Sequence, residues 1–278
     1  MKDKLLRKIV PSVPVLARTP LAKLLDLADS FIKFKHPGWS HLPPASLRMR
    51  IGVGNRILRN HQYFLQSGNG LVEELSQRKY LTPDSRILEL GCGCGRTAIA
   101  LLQILSEAGT YAGQDCDKEM IAWCQTHLGG KRFNFHHADV FSRVYNPTGK
   151  PVYDYQFPAE DNSISLVIAV SVFSHLLYQE FCHYLKQSSR VLSPGGFLHM
   201  TLFLMDYIKS RLGDRWTFSH RVGQAYIENP RFPESAVAYD LDPVRHILSK
   251  CGFSIAEIYN QDQHQQTIIA VLKKGELL

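Results

Sequence analysis

The sequence predicts an α/β fold: a doubly wound sheet of seven strands, the last antiparallel, with helices on both faces and a helical extension at the N-terminus. Three observations predict it. From Ser85 onward, short apolar runs alternate with helical stretches, the pattern of parallel strands joined by crossover helices. The first of these strands runs into a glycine-rich turn. Residues 1–80, by contrast, read as helices, apolar at helical spacing and strongly basic.

Taken in order, residues 1–34 read as one or two amphipathic helices broken around Pro11, Pro14 and Pro20, with Leu21, Leu24, Leu25, Ala28 and Ile32 as one apolar stripe. His36 to Pro44 is a Pro/Gly-rich joint, and a helical stretch from Ala45 to about Tyr80 follows, with a break expected near Gly68 and Gly70. Strands are expected at Arg86–Leu90, Tyr111–Gln114, Arg132–His137, Ile164–Ser171 and Phe197–Leu204. Helices Gly95–Ala108, Lys118–His127 and Leu176–Leu192 connect them, the last stopped by Ser193-Pro194-Gly195-Gly196. A helix at Asp242–Cys251 and a strand pair at Ser254–Tyr259 and Thr267–Leu272 close the chain. The expected division is a basic helical extension at 1–80 and one α/β domain at 81–278, carrying an insertion at about 205–240.

Composition excludes several classes. In 278 residues, 45% hydrophobic and 21% charged, there is ample material for a soluble core. The longest apolar run, Ile164 to Leu177, contains Ser165, Ser171, Ser174 and His175 and falls short of a membrane helix. Prolines interrupt the N-terminus and no small-residue cleavage pattern closes it, so no signal peptide is expected. Six cysteines are too few for a disulfide framework, and the Cys92–Cys94 spacing fits no zinc knuckle, so no metal site is expected. Reduced thiols and a cytoplasmic location follow. The net charge of +7 is uneven: residues 1–60 hold twelve Lys or Arg against Asp3, Asp26 and Asp29, and the rest is slightly acidic. Such an arm suits nucleic acid, anionic lipid or a phosphorylated substrate, or is a solvated face on accessory helices.

The chemistry gathers at the strand ends. Gly91, Gly93 and Gly95 let the backbone bend sharply and admit a ligand against it. Their G-x-G-x-G spacing differs from the G-x-G-x-x-G that seats a pyrophosphate, which disfavours a nicotinamide-dependent oxidoreductase. Glu89, two positions before the first glycine, can face a cationic ligand. Asp115, 24 residues after Gly91, can hydrogen-bond ribose hydroxyls. The plain alternative for Asp115 and Asp117 is a pair of turn residues capping the next helix. Asp139 can accept from an adenine amino group, with Val140 and Met120 flanking the ring.

On the run Glu89-Leu90-Gly91-Cys92-Gly93-Cys94-Gly95, with Asp115, Ala138-Asp139-Val140 and Arg190-Val191-Leu192-Ser193-Pro194-Gly195-Gly196-Phe197, the chain resembles the class I, Rossmann-like S-adenosylmethionine-dependent methyltransferases. Ser171-Val172-Phe173-Ser174-His175 is similar to a bacterial subgroup carrying S-V-F-T-H, with Ser174 in place of Thr. The resemblance covers about Ser85 to Leu204. It implies S-adenosylmethionine as methyl donor, S-adenosylhomocysteine as product, and a donor site of Glu89, Gly91, Cys92, Gly93, Gly95, Asp115, Cys116, Met120, Asp139, Val140 and Ser171.

Methyl transfer from a sulfonium needs alignment, helped by a base if the acceptor is a hydroxyl or amine. His175 is the candidate base; alternatively Ser174 caps the following helix and His175 merely packs in its first turn. Tyr239 and Asp240 can reach a substrate pocket, or are a loop tyrosine and an N-cap. Arg48 and Arg50 can hold the donor's carboxylate or an anionic substrate group, or are surface arginines. Substrate choice is expected from residues 1–80, with Arg56 and Arg59, and from the 213–239 segment with Trp216, His220, Arg221, Tyr226 and Arg231. The expected acceptor is a small molecule, anionic ones included: a metabolite, natural product, sugar or lipid head group. Nucleic acid is disfavoured, because Ala169-Val170-Ser171-Val172 stands where an Asn/Asp-Pro-Pro-Tyr tetrapeptide would lie. The remaining readings are an RNA methyltransferase, a methyltransferase-like protein without catalysis, and peripheral membrane contact through residues 1–35. Oligomeric state and acceptor atom stay open.

Overall fold

The computed structural model describes residues 20–51, 60–143, 145–208, 216–260 and 267–273. The readings at residues 1–19, Arg56 and Arg59 lie outside them. The helices are α1 (Pro20–Lys35), α2 (Ala45–Arg48), α3 (His61–Gln77), α4 (Arg96–Leu101), α5 (Lys118–His127), α6 (Tyr178–Val191), α7 (Met205–Ile208) and α8 (Leu241–Lys250). The strands of the first half are β1 (Arg86–Leu90), β2 (Thr110–Asp115), β3 (Phe133–His137), β4 (Ile164–Ala169) and β5 (Leu192–Leu204). Later come β6 (His220–Val222), β7 (Ala225–Ile227), β8 (Val237–Tyr239), β9 (Phe253–Asn260) and β10 (Thr267–Lys273).

The strands are hydrogen-bonded in the order β3-β2-β1-β4-β5-β8-β7-β6, with β10 on β5 and β9 on β10. β1, β4 and β5 run parallel, Ile87 facing Leu166 and Val167 facing Leu198. β10 is antiparallel to both β5 and β9. The architecture is Rossmann-like, as expected, but ten strands are described where seven were expected. The extra three, β6 to β8, come from the insertion. β5 is long enough to carry them, because Phe197 to Leu202 pair with β10 while Phe203 and Leu204 pair with β8.

The chain forms two compact units. One comprises the described residues of Met1–Pro83, Cys92–Glu107 and Gly113–Gly149; the other those of Asp84–Gly91, Ala108–Ala112 and Lys150–Leu278. In the first, Leu42, Leu47, Phe64, Cys94, Ile99 and Met120 form a buried cluster beneath Trp39, Ile51 and Trp123. α3 runs unbroken through Gly68 and Gly70. Gly68 marks a helix crossing rather than a break: a Cβ there would stand 2.5 Å from the Arg96 carbonyl oxygen of α4. In the second unit, α6 buries Phe181, Tyr184, Leu185, Ser188 and Val191, one face at helical spacing. Phe203 of β5 forms an apolar cluster with Met205, Ile208, Phe218, Ala236 and Ala238 of the insertion.

α1 departs from the expected apolar stripe. Leu24 and Ala28 are exposed, and the buried positions include Ala22 and Asp29. The cause is a set of polar ties. Asp26 accepts from the Ser46 backbone N–H and hydroxyl, both at 2.8 Å. Asp29 accepts from Arg48 at 2.7 Å and lies 2.7 Å from His61 Nε2. Lys33 donates to the carbonyls of Leu42 (2.6 Å) and Pro43 (3.0 Å). Arg48, expected as an anion holder or a surface residue, is fully buried; it also donates to Asn60 Oδ1 at 2.7 Å and to the Pro43 carbonyl. Burial would raise the Asp29 pKa, but the Arg48 guanidinium outweighs it and holds Asp29 below its ordinary value. Burial lowers His61, keeping it neutral at pH 7, and Trp39 stacks on its ring at 4.6 Å.

The crossing at Gly68 sets a paired expectation. Gly68→Ala should lower stability by about 1–3 kcal/mol through the clash with Arg96. Gly70→Ala, with nothing within 4 Å of the new methyl, should raise it by up to about 1 kcal/mol through helix propensity. Urea midpoints of the two variants against the parent measure both.

Candidate functional site

In the first unit the glycine turn is held by one carboxylate. Gly93 donates its backbone N–H to Asp115 Oδ2 at 2.8 Å, and Asp117 donates its own to Asp115 Oδ1 at 2.8 Å. Cys92 N–H reaches the Gln114 carbonyl at 3.0 Å. The end of β2 therefore fixes both the turn and the start of α5. Gly93 has φ 55°, and a Cβ there would press on Ile51 Cγ2 at 3.0 Å. Gly95 has φ 80°, and a Cβ there would meet Leu128 at 2.5 Å. The positive φ favours glycine at both positions, and a Cβ would in addition displace the Ile51 or Leu128 side chain.

Asp115 keeps some exposure but is crowded by protein, and this loss of hydration pushes its carboxyl up to about 6 despite the two N–H donors. The capping alternative falls to Asp117, the N-cap of α5, which accepts from Glu119 N–H at 3.1 Å and Met120 N–H at 3.4 Å. Asp117 also takes Arg50 at 3.1 Å, and a second Arg50 nitrogen lies 2.5 Å from Glu119. Arg50 is buried, so its charge is met by two carboxylates at once. Met120 is buried in the cluster under the turn. Cys94 is buried and its thiol is pushed up to about 12; Cys116 is raised too, so neither is a nucleophile at neutral pH.

After β3, Asp139 is exposed and one oxygen accepts from Asn146 Nδ2 at 3.1 Å. Asn146 also donates to the carbonyl of Val140, whose side chain is buried. Asn146 was not singled out from the sequence; its polar tie to Asp139 spans an irregular loop that leaves no periodic signal.

The second unit holds the other candidates. Glu89 is buried and accepts from the Tyr111 hydroxyl at 2.5 Å. Gly91 lies against Val172, whose Cγ2 would be 2.7 Å from a Cβ at that position. Ser171 follows β4 with φ 56°, left-handed backbone that costs a non-glycine residue energy, and its N–H donates to Thr201 Oγ1 at 2.7 Å. His175 ends a short 3₁₀ turn, Phe173–His175. Its Nδ1 stands 2.8 Å from the Glu234 carbonyl. A carbonyl only accepts, so in the neutral ring Nδ1 carries the proton and Nε2 keeps its lone pair. The ring retains accessible surface yet sits in a protein-lined recess, and desolvation holds His175 below the ordinary histidine value.

Two further expectations change. Ser174 is fully buried and does not cap α6; Leu177 takes the N-cap position, its N–H donating to Glu180 at 2.9 Å. Tyr239 is a buried strand residue rather than a pocket or loop side chain, its hydroxyl donating to the Leu176 carbonyl at 2.7 Å. Asp240 stands at the start of α8 but spends its carboxylate on the Tyr226 hydroxyl at 2.9 Å, while Asp206 accepts from Leu241 N–H at 2.9 Å. No helix among the described residues is long and apolar enough to cross a membrane.

Residues 87–196 match the family described as "Methyltransferase domain". A tRNA N(3)-cytidine methyltransferase METTL2 of Gallus gallus is 30% identical over 122 residues, 44% of this chain and 30% of its own. A phthiotriol/phenolphthiotriol dimycocerosates methyltransferase 1 of Mycobacterium ulcerans is 32% identical over 116 residues, 42% of this chain and 36% of its own. The chain thus spans about a third of the length of these curated relatives. Among solved structures, a 1,6-didemethyltoxoflavin-N1-methyltransferase of Burkholderia thailandensis, with bound 1,6-didemethyltoxoflavin and S-adenosylhomocysteine, superposes with TM-score 0.51 at 12% identity, covering 92% of this chain and 91% of its own.

Ser171 gives the test of the strained strand end. Ser171→Gly should hold stability or raise it by up to about 1 kcal/mol, whereas Ser171→Val should lower it by about 1–2 kcal/mol. Thermal melts of the two variants read the difference.

Proposed function

We propose that this chain is an S-adenosylmethionine-dependent methyltransferase that binds its donor on the Gly91–Gly95 turn and acts on a small-molecule acceptor. The observation that carries the donor reading is the turn itself: positive-φ glycines pinned through Gly93 N–H to Asp115, inside the stretch that matches the methyltransferase domain. In a Rossmann-like sheet ligands lie beyond the carboxyl ends of the strands. Gly91–Gly95, Asp115, Asp139 and Ser171–His175 directly follow or end β1, β2, β3 and β4.

The residues fit the donor's chemistry. Each Asp115 oxygen has a second lone pair left after its backbone bond, enough to receive ribose hydroxyls. Asp139, steadied by Asn146, has a free-facing carboxylate for an amino group, and Val140 supplies apolar backing. Met120 supports the turn from beneath. When bound, S-adenosylmethionine supplies an electrophilic methyl group on its sulfonium. The chain's remaining task is to align the acceptor and take its proton. His175, neutral and oriented by the Glu234 carbonyl, offers Nε2 as that base.

The small-molecule acceptor is supported by the Mycobacterium ulcerans relative, named for phthiotriol and phenolphthiotriol dimycocerosates. RNA is the second reading, favoured by the tRNA-methylating relative and the basic residues 1–60. A gel shift with total RNA at physiological salt separates them: retention of a discrete complex supports RNA, and uniform loss with added salt supports the small molecule.

Two measurements test the site. Donor hydroxyls need an ionised Asp115, so S-adenosylhomocysteine affinity by calorimetry should weaken about tenfold from pH 7 to pH 5, following the fraction of carboxylate left below its pKa of about 6. Asp115→Asn should bind more weakly and lose that pH dependence. His175→Ala should lower kcat by about 10²–10⁴-fold while leaving S-adenosylhomocysteine binding intact. Unchanged kcat would remove the histidine from the reaction.

A further inference from the structure

The ties that hold α1 by its polar side leave its apolar side outward. Leu24, Leu27, Phe31 and Phe34 repeat at helical spacing and are 60%, 69%, 60% and 82% exposed. Surface helices ordinarily bury such a stripe and show their charges to water. Here the arrangement is reversed: Asp26 is bound to Ser46, Asp29 to Arg48 and His61, and Lys33 to the Leu42 and Pro43 carbonyls. Four large apolar side chains on one stripe are more than scattered surface exposure explains.

Charge selects among the things that could cover this face. Both acids of α1 are spent inward, so its exposed side chains carry no negative charge among those described. Lys35 is exposed and lies 4.6 Å from the Phe31 ring centroid, beside the stripe rather than across from it. In the sequence ahead of α1, Lys2, Lys4, Arg7, Lys8 and Arg18 stand against Asp3 alone. A second copy would bring the same positive charge to the contact and repel it. RNA would satisfy the cations but leave leucines and phenylalanines without an apolar partner. An anionic bilayer satisfies both, its headgroups taking the lysines and its acyl boundary the stripe.

We propose that α1 docks this chain on an anionic lipid surface through Leu24, Leu27, Phe31 and Phe34, with Lys35 at the headgroups. The docking is peripheral and reversible, as expected of one short amphipathic helix. It is independent of the acceptor assigned above and stands whether or not methyl transfer is shown.

The test is flotation of the full chain with phosphatidylcholine vesicles, with and without about a quarter phosphatidylglycerol. The parent should float with the anionic vesicles and far less with the neutral ones, and raised salt should weaken the association. Leu27→Gln with Phe31→Gln should lower partitioning about tenfold or more, while the thermal midpoint and S-adenosylhomocysteine affinity stay at parental values, since neither side chain is buried. Lys35→Glu should weaken binding to anionic vesicles only. Failure of the parent to float, or equal flotation of the double variant, would overturn the proposal. So would a parental dimer, by sedimentation equilibrium, that the double variant returns to monomer without any vesicle binding, assigning the face to a second copy.

Discussion

The Asp115 carboxylate is the constraint on which the geometry of the glycine turn depends. Its two oxygens take the N–H of Gly93 and the N–H of Asp117, fastening the turn after β1 to the end of β2 and to the first turn of α5. Each bond crosses a loop that would otherwise be free to open, and a loop fixed at both ends presents its backbone in one geometry. The carboxyl is raised to about 6 because it is crowded out of water, and the two N–H donors, with a smaller pull from His137, keep it from rising further. Stability follows a definite sign. A carboxyl raised on folding destabilises the ionised native state, so this group costs progressively more stability as pH rises from its unfolded value toward 6. That cost is concentrated at one residue of the turn, where an ionised acceptor has a use.

A second polar core, around Arg48, does for the helical extension what Asp115 does for the turn. Replacing one member alone would leave a buried charge without its partner, the costliest kind of loss. The cluster explains why the helix is mounted with Leu24, Leu27, Phe31 and Phe34 outward. Charge-assisted bonds from Asp26, Asp29 and Lys33 are directional, whereas apolar contact is not, so they decide which side faces in.

Elements whose signal is local were legible in the sequence. Lys118–His127 is found as expected, because an aspartate cap precedes it and its composition is helical. β1, the glycine turn and β4 lie close to their expected bounds, since buried parallel strands read as continuous apolar runs. Features made by distant partners were not legible. Tyr111 under Glu89, Thr201 behind Ser171 and the Glu234 carbonyl on His175 are each set by tertiary contact, with no fixed spacing to announce them. β6 to β8 are three residues each, too short for alternation to show. On α1 the outward apolar residues are Leu24, Leu27, Phe31 and Phe34, and only Leu24 belongs to the stripe read from the sequence, because periodicity locates apolar positions without saying which polar ties orient the helix.

Arg50 shows how the extension and the donor turn bear on one another. From sequence it is an arginine available for an anion, yet it is buried with Asp117 and Glu119 on its guanidinium, and its own carbonyl accepts from the Tyr145 hydroxyl at 3.2 Å. Asp117 is at the same time the cap of α5 and a neighbour of Asp115. An anion recruited by Arg50 would have to compete with two carboxylates already in place, one of which also holds a helix terminus. The charge is therefore better understood as balancing the acidic start of α5 than as a ligand's anchor. With Ile51 against Gly93, it makes the segment after α2 part of the wall behind the turn. A change in that segment is then expected to reach the glycine turn, where the donor is proposed to bind, through packing on Gly93 and through the Asp117 cap.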